Sequence, residues 1–410
     1  MTSDPHGGVC LIRRVVIRNY KSIAACDVEL GPLTFLVGPN GSGKSNFLDA
    51  IRFVSDALRS SLEHALRDRD GIVQVIRQPP DDPTDFAIRL DFQLPAGNRG
   101  HYAFLVKAVK NAFMVQHEEC FITNLENADS RTHFYRVSEG IVLESTLAVE
   151  PAAIHDRLYL VNLSGIPAFR PIYDALSTMG FYNLDPGVIR ELQTPGSREL
   201  LARDGSNLPS VVEYLGDSAP LLKARIEEYL AQVVPGIKWV DTIPFGPRET
   251  LAFGQELADG EEWPFLANNM SDGTLRAIGV LVALFQRGAD GDISPLLIGI
   301  EEPETALHPA AVGVLVDSMR DAASARQVLV TSHSPELLDN PSVDGSEILA
   351  VVAENGETMI GRLDEAGRSV LRDHLFTAGD LLRMNQLRPD PSAHSLNPDD
   401  LVLFGTGAPA

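Results

Sequence analysis

The 410-residue sequence is short of cysteine, of positive charge and of long apolar runs, and each shortage removes a class of protein. Cys10, Cys26 and Cys120 are too few and too scattered for a disulfide framework or a paired-cysteine metal site, which suits a reducing compartment. Lysine and arginine total 34 against 56 aspartates and glutamates, a formal net charge of −22, so no overall basic field exists to hold nucleic acid. Any DNA contact would need a local patch. Apolar stretches such as 277–285 fall far short of a membrane span, and the N-terminus MTSDPHGGVC has neither the basic nor the apolar region of a secretory signal. A cytoplasmic chain without membrane contact is expected. The remaining balance, 44% hydrophobic and 22% charged, is that of a globular protein long enough for two or three domains, and it excludes collagen-like and wholly disordered chains.

Short β-branched and aromatic runs at Val15–Ile17 and Leu33–Val37 predict two strands. After Gly43 the apolar positions Phe47, Leu48, Ile51, Val54 and Leu58 follow helical spacing, so a helix begins at a glycine-rich loop. Three further strands, at Ala87–Leu94, Tyr102–Val109 and Ala112–Thr123, have connections too short for crossover helices and are expected to be antiparallel. From Pro151 to Pro264 the pattern is irregularly helical, and frequent prolines exclude a long coiled coil. Leu275, Ile278, Leu281, Val282 and Phe285 mark another helix, and the runs Leu296–Ile300 and Val328–Thr331 flank a helix near Ala311–Met319, an order that implies a parallel sheet.

The strongest chemical signal is Gly38-Pro39-Asn40-Gly41-Ser42-Gly43-Lys44-Ser45, a GxxxxGK[ST] loop between a predicted strand and a predicted helix. Small residues let backbone N–H groups curl around phosphates, Lys44 supplies a point charge, and the Ser45 hydroxyl suits magnesium. A second element is LLIGIEEPETALHP. Its apolar strand ends in two acids, placing Glu301 to hold a magnesium shell and Glu302 to orient or deprotonate the attacking water. His333, at the end of the next strand, is placed to reach the γ-phosphate or that water. Ser271 and Gly273 open the helix 274–285, where a capped, glycine-flanked N-terminus offers a second anion surface. A transition-metal cluster of Glu301, Glu304, His308 and His333 is disfavoured, because the P-loop already accounts for the carboxylates.

These segments resemble the ATP-binding-cassette (ABC) ATPases of the RecF, SMC and overcoming-lysogenization-defect (OLD) type. The resemblance rests on IRNYKSI (17–23), GPNGSGKSNFLDAI (38–51), MSDGTLRAIGVLVALF (270–285), LLIGIEEPETALHP (296–309) and VLVTSHSPELLD (328–339), five motifs in family order, mainly at the two ends of the chain. The segment LLARDGSNLPSVVEYL (200–215) resembles a stretch of stand-alone ATPases of this group, which bacterial DNA-repair and anti-phage systems use. The family implies an α/β P-loop fold with a two-lobed head, ATP and Mg2+ as cofactors, and a nucleotide sandwiched in a head-to-tail homodimer. Ser271 and Gly273 of one chain would then contact the γ-phosphate held by the other. It also brings Lys21, Ser22 and Asn46 into the nucleotide-binding set, and calls for a metal-contacting Q-loop glutamine, assigned to Gln116 with Gln74 and Gln78 as alternatives. Glu301 departs from the family's usual Asp, which lengthens the acid's arm.

Within this group the expected division is 1–150 and 265–387 for the ATPase lobe, 151–264 for a mainly helical insertion lobe, and 388–410 for a flexible tail. Fused nucleases of the OLD type need an Asp-x-Asp after the switch histidine, and none follows His333. A built-in nuclease is therefore not expected. The expected function is an ATP-hydrolysing dimeric switch in DNA repair or anti-phage defence; the alternatives are a membrane-transporter ATPase subunit and a nucleotide-gated scaffold with little hydrolysis. A switch without an output implies a separately encoded nuclease or other effector, and DNA engaged through Arg13, Arg14, Arg18 and Lys21, unless these four are a solvated strand edge.

Overall fold

Strand β1 (Ile12–Tyr20) carries the first β-branched run, and it hairpins onto β2 (Ile23–Glu29) before β3 (Leu33–Val37) leads into the glycine-rich loop. The computed structural model describes residues 10–78, 83–110, 112–124, 132–196, 200–256, 261–287 and 294–405. They fall into two compact units, the first made of 10–179, 345–375 and 385–405, the second of 180–344 and 376–384.

In the first unit helix α1 (Lys44–Arg59) follows the loop and buries the expected stripe of Phe47, Leu48, Ile51, Val54 and Leu58. Two short helices, α2 (Leu62–Arg67) and α3 (Ile72–Val75), precede the antiparallel strands β4 (Asp85–Gln93), β5 (Asn98–Val109), β6 (Ala112–Asn124), β7 (Thr132–Ser138) and β8 (Ile141–Ser145). With β1 and β2 these make a seven-stranded sheet in the order β2-β1-β4-β5-β6-β7-β8. Phe53 of α1 meets Tyr20 and Phe86 edge-on, with ring centroids 6.1 and 5.3 Å apart, and this aromatic cluster seats the helix on the sheet. Two more helices, α4 (Tyr159–Asn162) and α5 (Arg170–Ser177), complete this stretch.

The second unit begins with β9 (Gly180–Tyr182), α6 (Pro186–Arg190), α7 (Leu208–Ser218) and α8 (Pro220–Val233). An antiparallel sheet of β10 (Ile237–Phe245), β11 (Arg248–Glu256) and β12 (Glu262–Leu266) follows. Helix α9 (Asp272–Phe285) is apolar on nearly all sides and is buried throughout from Gly273 to Phe285 except at Arg276. Strand β13 (Leu297–Glu301) then pairs in parallel with both β9 and β14 (Gln327–Ser332), with α10 (Pro309–Ala323) as the crossover, as the sequence order predicts. Helix α11 (Pro335–Leu338) follows β14. Back in the first unit, β15 (Ile348–Glu354) pairs in parallel with β3 and antiparallel with β16 (Glu357–Arg362). Helix α12 (Glu365–Arg372) belongs with them, whereas α13 (Ala378–Arg383) belongs to the second unit.

Three expectations are corrected. Residues 151–264 are not one helical lobe: 151–179 stays with the first unit, and the remainder carries β9–β12 beside its helices. Packing decides the boundary. Glu118 of β6 accepts from the backbone N–H of Leu160, Tyr135 packs on Tyr159 and Phe169, and Ser55 Oγ of α1 donates to the Ser177 carbonyl at 3.1 Å. The tail is not loose through 405, because Leu403 is buried against Val16, Ala87 and Leu105. Its carbonyl accepts from Arg89 at 3.3 Å, and the Gly405 N–H donates to Glu119 at 2.6 Å. Of the four cations of 13–21, three pair with acids, Arg14 with Asp27 and Asp91, Arg18 with Asp85 and Lys21 with Asp49, while Arg13 donates to the neutral Gln93. Strand β1 is also not an edge, since β2 and β4 flank it.

Candidate functional site

In the first unit the loop 38–45 is shaped by backbone geometry that few residues other than glycine adopt. Gly43 has φ 100°, and a Cβ there would stand 2.0 Å from Thr358 Oγ1. At Gly38 a Cβ would stand 1.9 Å from the Val351 carbonyl, so the loop lies directly against β15 and β16. Lys44 is buried, and its Nζ donates to the Gly38 and Pro39 carbonyls at 2.8 and 3.0 Å. Pro39, Asn40, Gly41 and Ser45 are exposed, which leaves the Ser45 hydroxyl open for a metal. Ser42 Oγ is buried without a hydrogen-bond partner among the described residues, a polar atom that a phosphate oxygen would satisfy.

The loop is braced from behind. Thr358 Oγ1 donates to the Ser42 carbonyl at 3.0 Å and lies 2.7 Å from Ser22 Oγ, which in turn accepts from Asn46 Nδ2 at 2.6 Å. Ser22 and Asn46 thus stand beside the P-loop and support it. Lys21 instead reaches Asp49 of α1, 2.6 Å away. Burial alone would raise the Asp49 carboxyl, but Arg69, Arg52 and Lys21 outweigh it and hold the group below the usual carboxylate range. Gln116 is the extra residue of a bulge in the β5–β6 ladder, where its carbonyl accepts from Ser138 Oγ at 3.2 Å. No described contact ties Gln116 to 38–45. Gln74 lies on α3, and Gln78 donates to the Val73 carbonyl.

In the second unit Glu301 and Glu302 emerge at the carboxyl end of β13, as the apolar run predicts. Glu302 has φ 43°, a left-handed conformation held by its N–H donating to the Thr331 carbonyl at 3.0 Å. His333 Nδ1 stands 3.1 Å from Glu302 Oε1, though out of line for a hydrogen bond. Beneath them Glu304 is buried and accepts from Ser332 Oγ at 2.5 Å; desolvation pushes its carboxyl up despite that bond. Arg276 of α9 donates to the Glu302 carbonyl at 3.4 Å, and burial lowers its guanidinium against the pull of Glu302 and Glu304. Arg203 Nη2 lies 2.8 Å from Glu301 Oε1.

Ser271 caps α9, its Oγ accepting from the Thr274 N–H at 3.1 Å, and both Ser271 and Asp272 are exposed. Asp272 pairs with Arg190. At Gly273 a Cβ would stand 2.4 Å from the Ala306 carbonyl, so the helix start rests against the loop after Glu304. Glu301, Glu302, Glu304, His333, Arg276 and the Ser271–Gly273 turn are therefore gathered in one unit. His308 is occupied in capping α10, and no metal-binding group of three or more His, Cys, Asp or Glu occurs among the described residues. Sequence reasoning assigned no role to Thr358, Asp49 or Arg203. Thr358 lies on a strand that no apolar alternation announced, whereas Arg203 lies in the segment 200–215 already singled out by resemblance.

Two family models match in chain order: one described as "AAA ATPase domain" over residues 11–134, and one described as "AAA domain, putative AbiEii toxin, Type IV TA system" over residues 188–339. The DNA replication and repair protein RecF of Vibrio vulnificus is 49% identical over 41 residues, 10% of this chain and 11% of that protein. The OLD nuclease of Thermus scotoductus is 43% identical over 44 residues, 11% of this chain and 8% of that protein. The chain thus spans about a tenth of the length of these relatives. Among solved structures, an SMC head bound to the C-winged helix domain of ScpA aligns with a TM-score of 0.52 at 15% identity, covering 87% of this chain and 99% of that one. No helix among the described residues is long and apolar enough to cross a membrane. The α/β fold shared with the SMC head, the two ATPase-domain models and the RecF and OLD segments together support an ABC-like ATPase of the RecF, SMC and OLD type.

Proposed function

We propose that the chain binds and hydrolyses ATP with Mg2+ and works in the cytoplasm as a nucleotide-gated homodimeric switch in DNA repair or anti-phage defence. The observation that carries the hydrolytic part is Glu302, fixed at φ 43° with its carboxylate beside His333 at the end of an apolar parallel strand. Phosphoryl transfer depends on positioning and charge rather than covalent help, and a backbone-fixed acid suits a water-orienting role. In this scheme the 38–45 loop and Lys44 bind the phosphates, with Ser22, Asn46 and Thr358 keeping the loop in shape. Ser45 and Glu301 are hard oxygen donors of the kind Mg2+ prefers, and the ion would neutralise charge on the phosphates. His333 responds to the γ-phosphate or the water.

Dimerisation rests on the exposed Ser271 cap and the buried Gly273, a helix start suited to a phosphate presented by a second copy. The assignment to DNA repair or defence is supported by relatives named for replication, repair and nuclease action, and by a family described through a toxin system. A separately encoded nuclease or other effector completes the switch. DNA contact through the cations of 13–21 would compete with the acids that pair Arg14, Arg18 and Lys21. Phosphate release from Mg-ATP by wild type, Lys44→Ala and Glu302→Gln tests the proposal. Lys44→Ala is expected to lose binding, and Glu302→Gln to keep it while losing turnover.

A further inference from the structure

The segment LLARDGSNLP (200–209) forms a loop whose backbone is pinned at almost every residue. The N–H of Leu201 donates to Gln286 Oε1 at 2.7 Å, and that of Ala202 to Asn207 Oδ1 at 2.7 Å. The Gly205 carbonyl accepts from Gln193 Nε2 at 3.0 Å, while Gln286 is fully buried and donates to the Tyr182 hydroxyl at 2.7 Å. The Arg203 carbonyl accepts from the N–H of Asn183, the residue after β9, at 2.9 Å. Because β9 pairs in parallel with β13, with Tyr182 opposite Ile300, this tie sets Arg203 beside the carboxyl end of β13. There its Nη2 meets Glu301 Oε1 at 2.8 Å, with the two side chains 47% and 18% exposed.

An ion pair this exposed adds only about 0–1 kcal/mol to stability, so the consequence of so firmly mounted an arginine is orientation rather than folding. Glu301 has one more rotatable bond than an aspartate and would otherwise sample several positions. We infer that Arg203 is a positioning residue that holds one oxygen of Glu301 and leaves the other for the Mg2+ shell of bound ATP. This inference rests on the proposed role of Glu301. Partners that orient a metal ligand in this way typically matter by about 10–100-fold in metal affinity.

The test follows the fluorescence of a fluorescent non-hydrolysable ATP analogue bound to the full chain during titration with Mg2+. Arg203→Gln is expected to raise the half-saturating Mg2+ by roughly tenfold, leaving the thermal midpoint and the analogue's affinity in EDTA unchanged. Glu301→Asp withdraws the carboxylate from Arg203, so the double variant should be no worse than Glu301→Asp alone. An unchanged half-saturation in Arg203→Gln, a loss of analogue affinity in EDTA, or losses that multiply in the double variant would overturn the inference. A wild-type protein with no Mg2+-dependent signal would instead overturn the proposed function, and this inference with it.

Discussion

His333 Nδ1 stands 3.1 Å from Glu302 Oε1, and Glu302 is itself locked in a left-handed backbone conformation by Thr331. The pair joins an acid at the end of β13 to an imidazole after β14, two strands in register with Glu301 opposite Thr331. If His333 acts on the γ-phosphate or the attacking water, His333→Ala should keep ATP affinity within a few-fold and lower turnover by roughly 100-fold, at the low end for a general acid or base. Nucleotide titration and single-turnover kinetics check both halves.

Thr358 ties Ser22 and the Ser42 carbonyl into one support behind the phosphate loop. Thr358→Val keeps the shape and removes these hydrogen bonds, and is expected to cost about 1 kcal/mol. Nucleotide binding should weaken by roughly three- to tenfold in the same titration.

Glu118 is fully buried and accepts from the Tyr102 hydroxyl at 3.1 Å, the Tyr135 hydroxyl at 2.7 Å, and the N–H groups of Tyr159 and Leu160 at 2.5 and 2.9 Å. Desolvation nevertheless pushes its carboxyl up. Glu118→Ala strands four donors in the interior and should destabilise the protein by about 3 kcal/mol or more, read as a lowered urea midpoint.

Asp49 predicts the acid response of the P-loop helix. Its folded carboxyl lies below the ordinary aspartate value because Arg69, Arg52 and Lys21 outweigh the cost of burial. The stabilisation it gives is therefore present above about pH 4 and is lost as pH falls further through the folded value. Asp49→Asn should lower stability at neutral pH and flatten the acid limb of a stability-versus-pH curve. An acid limb unchanged in the variant would contradict this assignment.

Ser271→Arg places a bulky cation at the exposed start of α9. It should leave ATP binding intact while abolishing ATP-induced dimers in light scattering and, with them, turnover. An ATP-induced dimer of this variant would contradict the sandwich arrangement.

The placement of the candidate site residues was legible in sequence where it follows short-range rules. The P-loop between β3 and α1, the acids closing the apolar β13 and the cap at Ser271 all depend on neighbours within a few residues. What escaped depends on distant contacts. Thr358 is more than 300 residues from the loop it supports, and Arg203 reaches Glu301 only because β9 and β13 pair. The antiparallel strands β10–β12 were hidden in a proline-rich stretch that reads as interrupted helix, although Pro244 and Pro264 lie within strands. The tail looked loose by composition, yet Leu401, Leu403 and Phe404 supply an apolar patch that fits the sheet. The arginines of β1 suggested a basic surface because their partners Asp27, Asp85 and Asp91 lie on neighbouring strands.

Steady-state phosphate release from Mg-ATP, compared between wild type and Glu302→Gln at matched nucleotide occupancy, addresses the central claim most directly. Wild type is expected to show measurable turnover, and Glu302→Gln to lose about two to three orders of magnitude with nucleotide affinity retained. Near-normal release by Glu302→Gln, or none by wild type at saturating Mg-ATP, would contradict that claim.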